Sequence, residues 1–224
     1  MNSLRGFVNK YITYFVYPPP SEPGSPKGHV LVINGHPNSE DSYSAELTRA
    51  TVKGLLRSGH EVRVVNVGDG SFNPIMSADE HKHIYELKYQ RPNDLEPYIN
   101  LIRWADRLVW VYPTWWHMMP GTMKSFIDRA FAAHVAYEPP LQVGGSLKQL
   151  LDIKKVGVVT TWGGPLWQSI APFDLGRRLL GEVIPTATNR QVPQVLFMKL
   201  ANVYESERRR VNFLKKVEEV MATF

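Results

Sequence analysis

The chain has 224 residues, a formal net charge of +5 and no cysteine. That length suits one large domain with its own core, and the missing cysteines exclude a disulfide framework, thiol redox chemistry and a cysteine metal site, so any electron transfer must run through a bound cofactor. The positive charge is scattered, which favours small anionic ligands over a nucleic-acid face; the one basic run, Arg208 to Arg210, stands beside Glu205 and Glu207 and reads as a solvated helix face. No stretch is apolar for the roughly 18 residues of a membrane span, and the N-terminus lacks a secretory h-region, so a cytoplasmic protein is expected.

Residues 1–27 read as an arm and a linker, separate from a single domain over 28–224. Leu4, Phe7, Val8, Tyr11, Tyr14 and Phe15 fall at helical spacing and predict a short amphipathic helix with an aromatic face. PPPSEPGSPKG then forms a linker without helix or strand. The aromatic face needs a cover: its own domain, a partner subunit, or, with only Arg5 and Lys10 as basic neighbours, a membrane surface through residues 4–17.

From Gly28 onward, strand and helix patterns alternate. HVLVING reads as a buried strand, HPNSEDSYS as a polar loop, Ala45 to Ser58 as a helix closed by Gly59, and EVRVVNV as a second strand. Residues 68–105 form a long insertion holding a turn at GDGSFNPI, a polar helix from about Ala78 and an amphipathic helix from about Asp94 to Trp104. Leu108, Val109, Val111 and Tyr112 form an apolar run, as expected of a central strand buried on both faces. Pro113 ends it, and Pro120 opens a helix through Met123, Phe126, Ile127, Ala130 and Phe131. A Gly- and Pro-rich loop follows from His134 to Lys148. KKVGVVTT is a fourth strand, a helix lies near Phe173 to Leu180, a fifth strand around Gln194 to Met198, and a last helix from Ser206 to Met221. This predicts an α/β domain with a five-stranded parallel sheet of order 2-1-3-4-5 and helices on both faces.

In such a sheet the loops after strands one, three and four converge. The first carries His36, Ser39, Ser42 and Ser44 at a helix start, suited to a phosphate although no GxGxxG or GxxxxGK[ST] fingerprint is present. The second carries Thr114, Trp115, Trp116, His117, Met118 and Met119. One tryptophan can pad the junction, but two together are better explained by a flat aromatic ligand lying on the loop. The third, Thr160-Thr161-Trp162-Gly163-Gly164-Pro165, lets backbone N–H groups approach a ligand edge. A phosphate pocket, an aromatic floor and a glycine-rich edge describe a flavin site. A metal centre is not expected, because His81 and His83 stand two apart on a helix and face different ways.

At NGHPNSEDSYS, FNPI, ADRLVWVYPTWWHMMPGTMKSFIDRAF and VVTTWGGP the chain resembles the NAD(P)H:quinone oxidoreductases of flavodoxin-like fold, the DT-diaphorase and drug-activity-modulator type, over about Gly28 to Pro165. The resemblance implies that His36, Ser42 and Ser44, with Tyr43 between them, contact the diphosphate region of a flavin. Pro113, Thr114, Trp115, Trp116 and His117 would then run along its ring system, and Thr160, Thr161, Trp162, Gly163 and Gly164 hold its far edge. It implies FAD, with FMN as the alternative, NAD(P)H as co-substrate and a homodimer in which Tyr137 walls a substrate pocket that Met118 also borders. Animal members place a Tyr and a His after the TTGG segment, where this chain reads LWQSIAPFDLGRR. The catalytic group is therefore unassigned, with Trp116, His117 and Trp167 as candidates and Gln168 beside them. The implied activity passes a hydride from NAD(P)H through the flavin to a quinone or similar small acceptor, with ping-pong kinetics. The competing reading, motivated by the arm, is a flavin-binding ancillary or regulatory subunit of a transporter or other partner.

Overall fold

The computed structural model describes residues 27–142, 144–169, 174–191 and 193–224, together with the backbone of 5–8 and 13–17. Its strands are β1 (Arg5–Val8), β2 (Thr13–Tyr17), β3 (His29–Asn34), β4 (Glu61–Asn66), β5 (Arg107–Pro113), β6 (Tyr137–Glu138), β7 (Lys148–Gln149), β8 (Lys155–Thr161) and β9 (Gln194–Leu200). Its helices are α1 (Tyr43–Arg57), α2 (Ala78–His83), α3 (Glu96–Trp104), α4 (Gly121–Ala130), α5 (Leu175–Arg178), α6 (Ile184–Thr188) and α7 (Glu207–Met221).

The parallel core of the sheet runs β4-β3-β5-β8-β9, the expected 2-1-3-4-5 order. Alternation along each strand divides the core into two layers. Val30, Val32, Val109 and Val111 face α1 and α7, whereas Leu31, Ile33, Leu108, Trp110 and Tyr112 face α3 and α4. Where α1 meets α7, a Cβ added at Gly54 would lie 2.4 Å from the Glu218 carbonyl oxygen, so glycine sets how closely the two helices approach. Serine caps start α1 and α7: the hydroxyls of Ser42 and Ser206 accept from the amides of Ala45 and Arg209.

The arm departs from expectation. Residues 5–8 and 13–17 are strands of an antiparallel pair, and β2 adds to the outer edge of β4 with Phe15 opposite Val64 and Tyr17 opposite Val62. A β-branched and aromatic run such as TYFVY fits a pleated sheet, and the open edge of β4 offers backbone hydrogen bonds to a segment too short to be stable as an isolated helix. The side chains of the Leu4-to-Phe15 stripe, and residues 9–12, lie outside the described residues. Two smaller differences occur downstream. β6 and β7 pair within the expected loop, Tyr137 opposite Gln149. The helix expected at Phe173 to Leu180 begins at Leu175 and continues through a π-helical turn, Leu179–Val183, into α6, where Pro185, which has no amide hydrogen, interrupts the regular ladder; Phe173 itself lies outside the described residues. Among the described residues no helix is long and apolar enough to cross a membrane.

The insertion between β4 and α3 is held to α4 by a buried ion pair. The Arg129 guanidinium donates to both carboxylate oxygens of Glu80 at 2.9 to 3.1 Å, with the two side chains 2% and 1% exposed. It also donates to the Asn73 carbonyl and lies 3.5 Å from Asp94, while Ser125 donates to the Pro74 carbonyl. Phe72 completes the joint, edge-on to Tyr98 and Phe126.

Two outcomes follow for stability. Removing one partner of a buried pair strands the other charge, so Glu80→Ala should cost about 3 to 5 kcal/mol in denaturant unfolding. His60 is buried and its Nδ1 has no partner; burial, assisted by Arg107 and opposed by Asp106, lowers its pKa from 6.5 to about 4. The unfolded chain then takes up a proton below about pH 6.5 that the native state refuses until about pH 4. Stability from this group is present above that window and falls by about 2 to 3 kcal/mol as pH drops through it. Unfolding curves from pH 7 to 4 should show this loss, and His60→Gln should flatten it.

Candidate active site

The three loops stand at the carboxyl ends of β3, β5 and β8, as the topology requires. In the second loop, the Trp115 amide donates to the Met118 carbonyl at 2.8 Å and the Met118 amide returns a bond to Trp115 at 2.9 Å. The two residues between them, Trp116 and His117, have φ of 50° and 61°. This is a type I′ turn, whose central positions favour Asn and Gly; a bulky aromatic there is held in a conformation it rarely adopts, and such strain collects at ligand-contacting segments. The turn pushes Trp116 outward, 94% exposed, while Trp115 is about half as exposed.

The turn faces the β8 loop. His117 packs on Trp162 with ring centroids 4.6 Å apart, and the two join Trp116, Trp167 and Gln168 around an open cleft of about 620 Å³. Among the described residues no acidic or basic side chain lines it apart from His117, so the cleft suits a flat, largely apolar ligand. Below, the Thr114 and Thr160 hydroxyls are hydrogen-bonded at 2.8 Å, and the Thr114 amide donates to the Thr161 carbonyl at 2.8 Å. These bonds tie the ends of β5 and β8. At the β8 loop a Cβ on Gly164 would fall 2.5 Å from Gln168 Oε1 and 2.9 Å from Trp162 Nε1, so the two side chains pack directly against the glycine. Trp162 Nε1 is buried and has no acceptor.

The first loop is tied together by its own side chains. Ser42 is occupied as the α1 cap and donates to the Asn38 carbonyl at 2.6 Å, and Ser39 donates to Asp69. Ser44 is buried in the first helical turn. The Tyr43 hydroxyl turns away to the Arg210 carbonyl, 2.8 Å distant, and burial pushes its phenol up. Tyr43 and Ser44 open the first turn of α1, where backbone amides lack a partner within the helix and suit an anion. His36 Nδ1 lies 3.0 Å from the Asn38 amide and 2.9 Å from the Asn38 carbonyl, which holds the ring against the loop.

The structure thus gathers Trp116, His117, Trp162 and Trp167 at one cleft, with Pro113, Thr114, Thr160 and Thr161 at its base. His36, Ser42, Tyr43 and Ser44 stand at the neighbouring strand end and do not line it, nor do Trp115, Met118, Gly163 and Gly164. Tyr137 is also outside this lining, half-buried in β6 with its phenol raised by burial and by Tyr85. Sequence reasoning missed a buried polar row beneath the cleft: Tyr112 opposite Thr160, and Thr160 opposite Lys199, whose ammonium pairs with Asp174. A lone lysine within the apolar strand QVLFMKL was the available signal, since a lysine so placed needs a buried partner.

Fold and cleft together define a ligand-binding doubly wound α/β protein with its site at the strand switch point. The chain belongs to the family described by the flavodoxin-like fold, whose model matches residues 28–177. A protein of Haemophilus influenzae named an uncharacterized NAD(P)H oxidoreductase is 29% identical over 108 residues, 48% of this chain and 52% of that protein, so the chain spans about half the length of that relative. An FMN-dependent NADH:quinone oxidoreductase of Mycoplasmoides gallisepticum is 26% identical over 141 residues, 61% of this chain and 68% of that protein. Among solved structures, an NAD(P)H:quinone oxidoreductase from Methanothermobacter marburgensis superposes with a TM-score of 0.72 at 23% identity, over 88% of this chain and 96% of that one, and shares the fold.

The turn itself is testable without a ligand. Because Trp116 is exposed and its backbone strained, Trp116→Asn should raise stability by about 0.5 to 1 kcal/mol in denaturant unfolding. A loss of stability would mean that the indole supports the loop.

Proposed function

We propose that the chain is a flavin-dependent NAD(P)H oxidoreductase that reduces a quinone or similar small aromatic acceptor. The observation that carries the reading is the cleft at the ends of β5 and β8, with Trp116 raised on a strained turn and Trp162, Trp167 and His117 facing it. The residues present fit a flavin: an aromatic cleft lined, among the described residues, by no acidic group, an unpaired indole N–H, and the start of α1 with His36 beside it for an anionic phosphate. FMN replaces FAD as the proposed cofactor, supported by the name of the Mycoplasmoides relative. NAD(P)H as reductant is supported by the names of both curated relatives.

When bound, the flavin supplies the hydride chemistry, accepting from the nicotinamide and passing to the acceptor. The chain's own contribution is orientation and exclusion. Trp116 and Trp167 provide flat faces on which a ring can lie, and their apolar surface leaves water on binding. The Thr114–Thr160 bond fixes the spacing of the two loops that would border the ring. Gln168, His117 and the indole N–H of Trp162 are among the polar groups at the cleft able to donate a hydrogen bond to a carbonyl oxygen of the acceptor. One cleft for both substrates implies ping-pong kinetics. The arm that motivated an ancillary-subunit reading joins its own sheet edge, so that reading loses its motive. A homodimer remains part of the proposal, supported by the openness of the cleft and by the position of Tyr137 outside this chain's lining; light scattering tests it.

The purified protein should be yellow, release FMN on denaturation, and oxidise NADH or NADPH with a quinone in parallel-line kinetics. A colourless protein that takes up neither FMN nor FAD on titration would sink the reading. Trp116→Ala should weaken flavin binding by about 1 to 3 kcal/mol and Trp115→Ala by less, read from fluorescence titration. Negligible effects from both would reduce the pair to scaffold.

A further inference from the structure

Beneath the cleft lies an ion pair that the proposed chemistry does not use. The Lys199 ammonium and the Asp174 carboxylate pair in contact, their side chains 5% and 9% exposed. The other Asp174 oxygen accepts from the Arg177 amide at 3.1 Å and caps α5. α5 is the first turn of a helical stretch that continues through Leu179–Val183 into α6, and a helix end frays unless it is tied down. Besides Arg177 over the Phe197 ring, two contacts tie its start. The ion pair ties its start to β9, and Gly176 sits so close to Tyr112 that an added Cβ would fall 2.8 Å from the phenol oxygen. Tyr112 is fully buried opposite Thr160 in the sheet, so it is a firm stop.

What α5 holds in turn is the aromatic turn. The Gly176 amide donates, at 3.4 Å, to the carbonyl of His117, the second left-handed residue of the type I′ turn. A backbone strained at two consecutive residues persists only where its surroundings over-determine it. One side of the turn is set by the Trp115–Met118 bonds and by His117 packing on Trp162; the other is set by α5.

We propose that Asp174 and Lys199 are positioning residues that latch α5 against β9 and so hold His117 and Trp116 in the orientation the cleft needs. A buried charge pair suits the task because it fixes two elements in one register, which an apolar contact of the same size does not. The proposal predicts that loosening α5 by any means displaces the turn while the sheet stays intact. It rests on the flavin reading only for the affinity measurement described next.

The test compares two variants that loosen α5 by unrelated means. Asp174→Asn with Lys199→Met removes both charges yet keeps the capping oxygen and the buried volume. Gly176→Ala leaves the charges and drives a methyl into the Tyr112 hydroxyl. In flavin-free protein the His117 Hε1 proton, shielded by the Trp162 ring, should move toward its random-coil shift in both variants, with the far-ultraviolet circular dichroism unchanged. FMN affinity should fall about tenfold in both, the scale of releasing one strained backbone residue. A folded variant of either kind with the His117 resonance of the parent overturns the proposal; should the charge-free pair fail to fold, Asp174→Asn alone, which keeps the capping oxygen and removes the ion pair, takes its place. If the parent protein binds no flavin, the functional reading fails but the His117 shift still decides whether α5 positions the turn.

Discussion

The Arg129–Glu80 ion pair is the constraint on which the site's geometry depends. Both groups are out of water, and a charge so placed is tolerated only when its partner and its remaining hydrogen bonds are met. The guanidinium meets them by reaching Glu80 in α2, the Asn73 carbonyl in the turn before it, and Asp94 near the start of α3. A long polar insertion is thereby pinned to one face of α4. Because α4 follows the aromatic turn with only Pro120 between Met119 and its first residue, fixing α4 fixes one end of the turn.

The other end is fixed from the sheet. Thr114 and Thr160 bond across the last residues of β5 and β8, and the turn then doubles back on itself between Trp115 and Met118. Met123 of α4 reaches under the first loop, where a Cβ on Gly35 would touch it at 2.7 Å, so the same helix also sets the floor between the first and second loops. The aromatic cleft is thus not a property of one loop. It is the space left when three strand ends, one helix and one short turn of α5 are each held by a different kind of contact: hydroxyl pairing, close packing at glycine, and buried charge. Loss of any one would shift an exposed indole that has few contacts of its own.

Features that depend on local pattern were legible in the sequence. The buried strands announced themselves as apolar runs, α1 and α7 by their spacing, and the expected position of the site by the rule that ligands bind at strand switch points. The pair of tryptophans marked the cleft because two bulky aromatics in succession are unusual at a polar strand end. The arm misled because its apolar residues satisfy a helical spacing, whereas a free sheet edge was available to take it as strand. The first-loop serines carry a double meaning: a serine before a helix serves as a cap and as a ligand donor equally well, and Ser42 is the cap of α1.

What the amino-acid sequence determined by itself is the doubly wound sheet, its strand order and the set of residues that could meet at its carboxyl edge, since these follow from periodicity, turn chemistry and the right-handed crossover. Which of those residues actually meet was decided only by tertiary structure. The outward throw of Trp116 comes from left-handed backbone at a non-glycine pair, the pairing of Glu80 with Arg129 spans 49 positions, and Asp174 finds Lys199 across 25. Interactions of that range leave no periodic trace in the chain, because each is selected by the packing of elements that must already be in place before the two charges can come together.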